Sequence, residues 1–467
     1  MVRVIRVDAD VIVIGAGFAG LSAASLIADR GCRVLVLEAR PTLGGRATAF
    51  TDPATGERVD NGQHVLIGCY EETFRFLRRV GAESNVDLQR NLSVDMIDRS
   101  GRASRFSCPP LPAPWHLVAG VLKWSVLTWA DRLAIARVGL ALRSPGRLKP
   151  APTIDRSHED VGAAFRRPNE LTVREWLIAH HQTPRLIELL WEPLAVAALN
   201  QSIDVAAADG FLVVLQRMFN GTARDASLGL PRTPLDEMYA IPARRFIEQH
   251  GGEVRTSSPA TVTFCGQPHP SPAVDVRGRR AQSAAVVCAA PWFALADTLI
   301  DPPDPLKRIV DDASATDASP IVTVNLWFDR IVTSRTFVGL PGRTMQWVFD
   351  KRLIFGEKAS HVSLVSSGAE HIVARSNQEL IDLAMTEVTA AFPAARDAVL
   401  ERAVVVREKR ATFSVAPGQP QRPGTETGIP GFFLAGDWID TGLPATIESA
   451  VVSGHRAAEA ALAFVRQ

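Results

Sequence analysis

Cysteine, tyrosine, surplus charge and long apolar runs are all scarce in this 467-residue chain. The five cysteines, Cys32, Cys69, Cys108, Cys265 and Cys288, include no C-x-x-C pair. Such scatter supplies neither a disulfide framework nor a metal-ligand set and fits a reducing compartment. No stretch of eighteen uncharged apolar residues occurs, which argues against a membrane-spanning helix. With 51 basic and 50 acidic residues the formal net charge is +1, so the clustered basic excess of a nucleic-acid binder is missing. The opening Met1-Val-Arg-Val-Ile-Arg-Val7 is too short and too quickly interrupted by charge to be a secretory signal. The expected location is therefore the cytoplasm. What remains is a globular composition, 46% apolar and 22% charged, in a chain long enough for two domains or a discontinuous pair.

The informative residues lie at the two ends. Val11-Ile-Val-Ile-Gly15-Ala-Gly17-Phe18-Ala19-Gly20 predicts a buried strand over 10–14, a tight turn and a helix from Phe18 to Arg30. Gly31 ends that helix, and Arg33–Glu38 reads as the next strand, completing a βαβ unit. In such a unit Gly15 permits the turn, Gly17 lets the backbone approach a pyrophosphate, and Gly20 lets helix and strand pack closely. The N-terminus of the helix offers N–H groups and partial positive charge to phosphate. Glu38, eighteen positions past Gly20, can accept both hydroxyls of an adenosine ribose. Glu38-Ala39-Arg40 then leads into Gly44-Gly45-Arg46, a loop able to run against a cofactor, with Arg46 available to a phosphate charge; taken alone it would be a solvated turn.

Near the C-terminus, Phe433-Leu-Ala-Gly436-Asp437-Trp438 precedes Gly442-Leu-Pro-Ala-Thr446-Ile447-Glu448 and Ser453-Gly454. Asp437 is expected to cap a helix, and it can also reach the ribityl or pyrophosphate region. The Thr446-Ile447 backbone can donate N–H to a flavin pyrimidine oxygen, where a helix dipole favours the reduced anion. One cofactor touching both ends requires the chain to leave its nucleotide domain and return. The expected fold class is α/β, with a Rossmann-like FAD-binding domain from residues 1–94, 236–290 and 401–467. An inserted α+β substrate domain then comes from 95–235 and 291–400. Gly251–Val254 and Ala284–Ala290 read as returning strands, and Ile321–Phe328 as a strand of a second sheet. Trp115–Leu142 reads as apolar helix, Arg143–Asn169 as a polar, proline-rich loop or flap, and Thr172-Val-Arg-Glu175 as a capping box.

The glycine fingerprint with Glu38, the R-x-x-x-G-G-R run and the F-L-A-G-D, T-I-E-S-A and S-G segments resemble the amine oxidase and phytoene desaturase superfamily of flavoproteins. Asp60-Asn-Gly62-Gln63-His64-Val-Leu-Ile-Gly-Cys-Tyr70, Trp191–Asn200 and Gly436–Thr446 further resemble the hydroxysqualene dehydroxylases of bacterial hopanoid pathways. The resemblance implies a glutathione-reductase and amine-oxidase type of fold, FAD as cofactor, an isoprenoid lipid as substrate and replacement of an allylic C–OH by C–H. That chemistry asks for an acid at the carbinol and a long apolar pocket. Gln63 and His64 follow a glycine in the segment expected to wall the flavin. His64 can protonate the leaving hydroxyl, or simply hydrogen-bond the cofactor. Glu192 is a second acid candidate, or else a partner in an ion pair. Lys409-Arg410 is either a positive group near bound water or a solvated strand end. Three tryptophans between residues 111 and 130 suggest a peripheral contact with the inner face of the membrane, or a roof over the substrate core.

Alternatives stay open. A carotenoid-type desaturase or isomerase would share the fold and the apolar pocket. An amine oxidase commonly frames nitrogen with tyrosines, and only Tyr70 and Tyr239 exist here. Prenyl-chain carriers resemble the fold without using flavin, but the full set of Gly15, Gly17, Gly20, Glu38, Gly45 and Asp437 speaks against that. No second dinucleotide fingerprint supports a tightly bound NAD(P)H, no spacing suggests a metal, and nothing in the sequence sets an oligomeric state.

Overall fold

The computed structural model describes residues 8–112, 114–143, 170–219, 221–266 and 270–467. The loop or flap expected from Arg143 to Asn169 lies, beyond Arg143, outside the described residues. A parallel five-stranded sheet runs Glu253–Arg255, Val34–Leu37, Val11–Ile14, Ala285–Cys288 and Phe432–Leu434. Its three inner strands are uniformly buried apolar runs, mostly Val, Ile and Leu, the composition a parallel sheet requires when helices cover both faces. Three of the five strands follow residue 250, so the chain does come back to this sheet twice.

Helix Phe18–Asp29 and the final helix Ile447–Val465 pack on one face of it. Their approach is close enough to need glycine. A Cβ on Gly20 would stand 1.9 Å from the Gly15 carbonyl oxygen, and one on Gly454 would stand 2.3 Å from the Ala19 oxygen.

A seven-stranded sheet forms the second layer, in the order 400–413, 318–328, 360–367, 347–350, 337–339, 93–97 and 103–107. Several expected boundaries shift accordingly. Ser93–Ile97 crosses the division placed at residue 94, and Leu400–Phe413 pairs along Ala318–Phe328 rather than joining the flavin part assigned from 401. Leu228–Pro231 pairs with Leu66–Ile67 and Val86–Leu88, inside the first flavin segment. Residues 291–315, expected in the substrate domain, instead place Leu295, Leu299, Leu306 and Ala313 in one core with Ile12, Leu35 and Val286. The reason is common to all four cases: strand pairing and apolar burial are satisfied by distant partners, and no composition change marks where the chain crosses.

The apolar region from Trp115 is two helices, Trp115–Lys123 and Trp129–Arg143. Thr128 and Asp131 exchange hydrogen bonds that start the second. Periodicity alone bridged this break, because Trp124, Val126 and Leu127 within it are buried. The capping box at Thr172 is formed, with Glu175 reaching back to the Thr172 N–H.

Candidate active site

The turn after the first strand has the form a nucleotide phosphate needs. Gly15 holds φ +101°, and a Cβ there would come within 2.8 Å of the Ala289 oxygen. Gly17 caps the following helix without any side-chain hydrogen bond, which leaves first-turn N–H groups open to an anion. Phe18 and Ala19 are buried in that turn. Glu38, buried at the end of the second strand, accepts the Ala16 N–H at 2.7 Å and the Arg40 N–H at 2.9 Å. Each carboxylate oxygen keeps a further lone pair for a hydroxyl. Ala39 and Arg40 are exposed beside it. Gly44 and Gly45 hold φ +102° and +58°, and a Cβ on Gly45 would lie 3.3 Å from Gly17 Cα. The two glycine loops therefore face one another, and a dinucleotide cofactor fits this cradle.

One side chain departs from an expected task. Asp437 does not cap the final helix. Thr446 does, accepting the Ser449 N–H at 3.1 Å. Asp437 instead forms a forked ion pair with Arg46, which also donates to the Ala411 oxygen at 2.8 Å and stacks over Trp292. A forked guanidinium–carboxylate pair in a partly buried site is a strong contact, so Arg46 fastens the glycine loop to the C-terminal segment. Gly436, at φ +149°, leaves room for Trp438, whose ring a Cβ would meet at 2.6 Å; its N–H is accepted by Ser453.

The Asp60–His64 segment runs alongside. Asn61 donates to the Arg46 oxygen at 2.6 Å and accepts from the Thr48 N–H. Gly62 faces the Thr323 hydroxyl, a buried group with no partner among the described residues, as expected of a site built for a polar ligand atom. His64 turns Nδ1 toward the Gly62 oxygen at 3.4 Å. Burial holds its pKa below the ordinary histidine value, with Asp60 pulling upward and Lys351 and Arg46 pushing down. At neutral pH the ring is uncharged, and it donates a proton only from its minority protonated form. Gln63 accepts from Lys351, a residue that sequence reasoning missed. Tyr239 was missed as a support: stacked on Phe18, its hydroxyl donates to the Gly44 oxygen at 2.8 Å.

Glu192 pairs loosely with Arg174 at 4.0 Å on a half-exposed helix start, and burial pushes its pKa up. Lys409 and Arg410 are exposed on a strand, Arg410 lying over Phe293. The Trp191–Asn200 motif serves architecture. Asn200, left-handed at φ 51°, donates to the Ser319 oxygen and the Thr412 hydroxyl and accepts the Gly368 N–H. Two cavities flank the Gly442–Thr446 turn. The larger, about 270 Å³, mixes Trp292, Phe413 and Trp438 with Asp209, Asp312 and Arg422. The smaller is lined by Ile67, Ala198, Val214 and Leu443, with Tyr70, Thr446 and Cys69 at its wall. Burial pushes the Cys69 thiol up to about 12, so it is no nucleophile at neutral pH. Neither cavity is the long apolar pocket that was expected.

Comparison with known proteins sets this geometry in context. The sequence profile described as flavin containing amine oxidoreductase matches residues 18–462. A hydroxysqualene dehydroxylase of Zymomonas mobilis is 28% identical, over 96% of this chain and 98% of that protein. A 15-cis-phytoene desaturase of Synechococcus elongatus is 25% identical, over 97% and 96%. The crystal structure of an oxidoreductase from Methanosarcina mazei superposes with a TM-score of 0.73 at 17% identity, covering 96% of this chain and 99% of that one.

Proposed function

We propose, from the premise that the chain belongs to the flavin-containing amine oxidoreductase family and is an FAD-dependent oxidoreductase, that its reaction is the reductive dehydroxylation of hydroxysqualene to squalene. The observation that carries this reading is the Asp60–His64 segment, where His64 lies against the Gly62 oxygen and Gly62 faces the buried, unpartnered Thr323 hydroxyl, a small polar group of the kind a single carbinol would meet. A hydrocarbon substrate needs polar partners only at its one carbinol. The 28% identity to the Zymomonas protein, over 96% of this chain and 98% of that one, supports the same choice.

Reduced FAD, when bound, supplies the hydride. The protein's own part is to exclude water, so that the developing allylic cation meets less screened charge, and to move a proton onto the departing oxygen. In this reading His64 supplies that proton. Phytoene desaturation is the second reading, favoured by the Synechococcus relative; it would run the flavin in the opposite direction. Anaerobic incubation of photoreduced protein with hydroxysqualene is expected to give squalene. No squalene from active, flavin-loaded protein, together with turnover of phytoene by the oxidised form, would transfer the assignment to the desaturase reading.

The reading also places the protein on the inner face of a membrane, where an isoprenoid resides. Leu111 and, on the two helices that follow it, Trp115, Val118, Leu122, Trp129 and Leu133 are exposed, Trp129 to 71%. Trp124 is buried against Phe106 and belongs to the core, so the two readings of this region divide between its tryptophans. Lys123 and Arg137 are exposed and Arg132 stacks on Trp129, a basic fringe suited to anionic headgroups. Wild-type protein is expected to float with vesicles containing phosphatidylglycerol, and Trp129→Glu with Leu133→Glu to remain in solution. Equal flotation of both proteins removes this surface from the proposal.

A further inference from the structure

Lys351 is about 1% exposed, and a lysine so buried is rare unless it is fully paired. It opens the short helix Lys351–Phe355 behind strand Trp347–Asp350 of the seven-stranded sheet. Its ammonium donates to Asp60 Oδ2 at 2.8 Å and to Gln63 Oε1 at 2.6 Å, and lies 4.4 Å from the centre of the Phe355 ring. The second oxygen of Asp60 accepts the Leu235 N–H at 3.0 Å. Asp60 alone would balance the charge. The bond to Gln63 adds something else, because Gln63 directly precedes His64 and turns its own amide toward the His64 oxygen at 3.3 Å. The segment is thus gripped from two sides. Asn61 ties it to the Arg46 loop, and Lys351 ties it to the second sheet.

We propose that Lys351 is the positioning residue of this active site: from the second sheet it cancels the Asp60 carboxylate and holds the Gln63 amide, so that residues 60–64 keep one face toward the flavin. The inference rests on the flavoprotein reading of that segment and not on the identity of the substrate. It has two separable parts, charge and geometry. Without Lys351 an unpaired carboxylate stands beside the flavin-binding segment and opposes the negative charge gained on reduction. Without Lys351 the Gln63 side chain also loses its anchor, whatever the charge.

The test uses FAD-loaded full-length protein and no substrate. Midpoint potential and the visible circular dichroism of the bound flavin are measured for wild type, Lys351→Met, Gln63→Ala and the double variant Asp60→Asn with Lys351→Met. Lys351→Met is expected to weaken reduction about tenfold, a shift of about 30 mV for a two-electron couple. The double variant is expected to recover the wild-type potential while keeping the altered dichroism that Lys351→Met and Gln63→Ala share. A wild-type potential in Lys351→Met overturns the charge part, and wild-type dichroism in the double variant overturns the positioning part. If Lys351→Met does not fold, the dichroism of the double variant decides alone. Because no substrate is added, failure of the dehydroxylase reading leaves this result standing, and the reverse.

Discussion

Glu38→Ala is expected to release the flavin. The Glu38 carboxylate is buried at the end of its strand and already receives the Ala16 and Arg40 N–H groups. It therefore shapes the phosphate turn as well as presenting acceptors to a ribose. Hydrogen bonds to a charged group contribute about 1.5–3 kcal/mol each, so losing two to the ribose weakens binding by about 10²–10⁴-fold. Loss of the Ala16 contact adds to this, because an N–H of the turn is left without its acceptor. Glu38→Gln keeps the shape and one acceptor oxygen, and should fall between the two. Flavin stoichiometry after desalting, followed by titration of the apoprotein with FAD, measures both. Full retention of flavin by Glu38→Ala at micromolar concentration sinks the assignment.

His64→Ala should slow the reductive half of the reaction by about 10²–10⁴-fold, the usual worth of a positioned general acid, with FAD still bound. The structure adds a pH dependence to this expectation. Burial keeps the His64 pKa below its ordinary value of 6.5, and only the protonated ring can donate. The single-turnover rate of the wild type should therefore rise as pH falls, levelling off below a midpoint that lies under 6.5. His64→Ala should lose that rise. A variant with an unchanged rate and the same pH profile removes His64 from the chemistry and leaves it a cofactor contact.

The nucleotide half of this protein was legible because its information is local. Val11–Ile14, Gly15, Gly17, Gly20 and Glu38 fall within one βαβ unit of 28 residues, and each is constrained by backbone geometry that neighbouring residues reveal. The capping box at Thr172 was readable for the same reason, since its two partners are three residues apart. Arg46 and Asp437 were both singled out as cofactor groups, but their mutual ion pair spans 391 positions. No periodicity announces such a pairing.

Sequence alone therefore determined the fold class and the flavin, because turn glycines, buried strands and helix starts obey short-range steric rules. Tertiary structure decided which charges meet. It seated Tyr239 beneath Gly44, made Thr446 rather than Asp437 the cap of the last helix, and carried Lys351 across 288 residues to Gln63. It also sent residues 400–413 to the second sheet and 291–315 to the first core. Burial drives each of these choices: a desolvated charge or an unpaired strand takes whichever partner packing brings within reach, and that partner can stand anywhere along the chain.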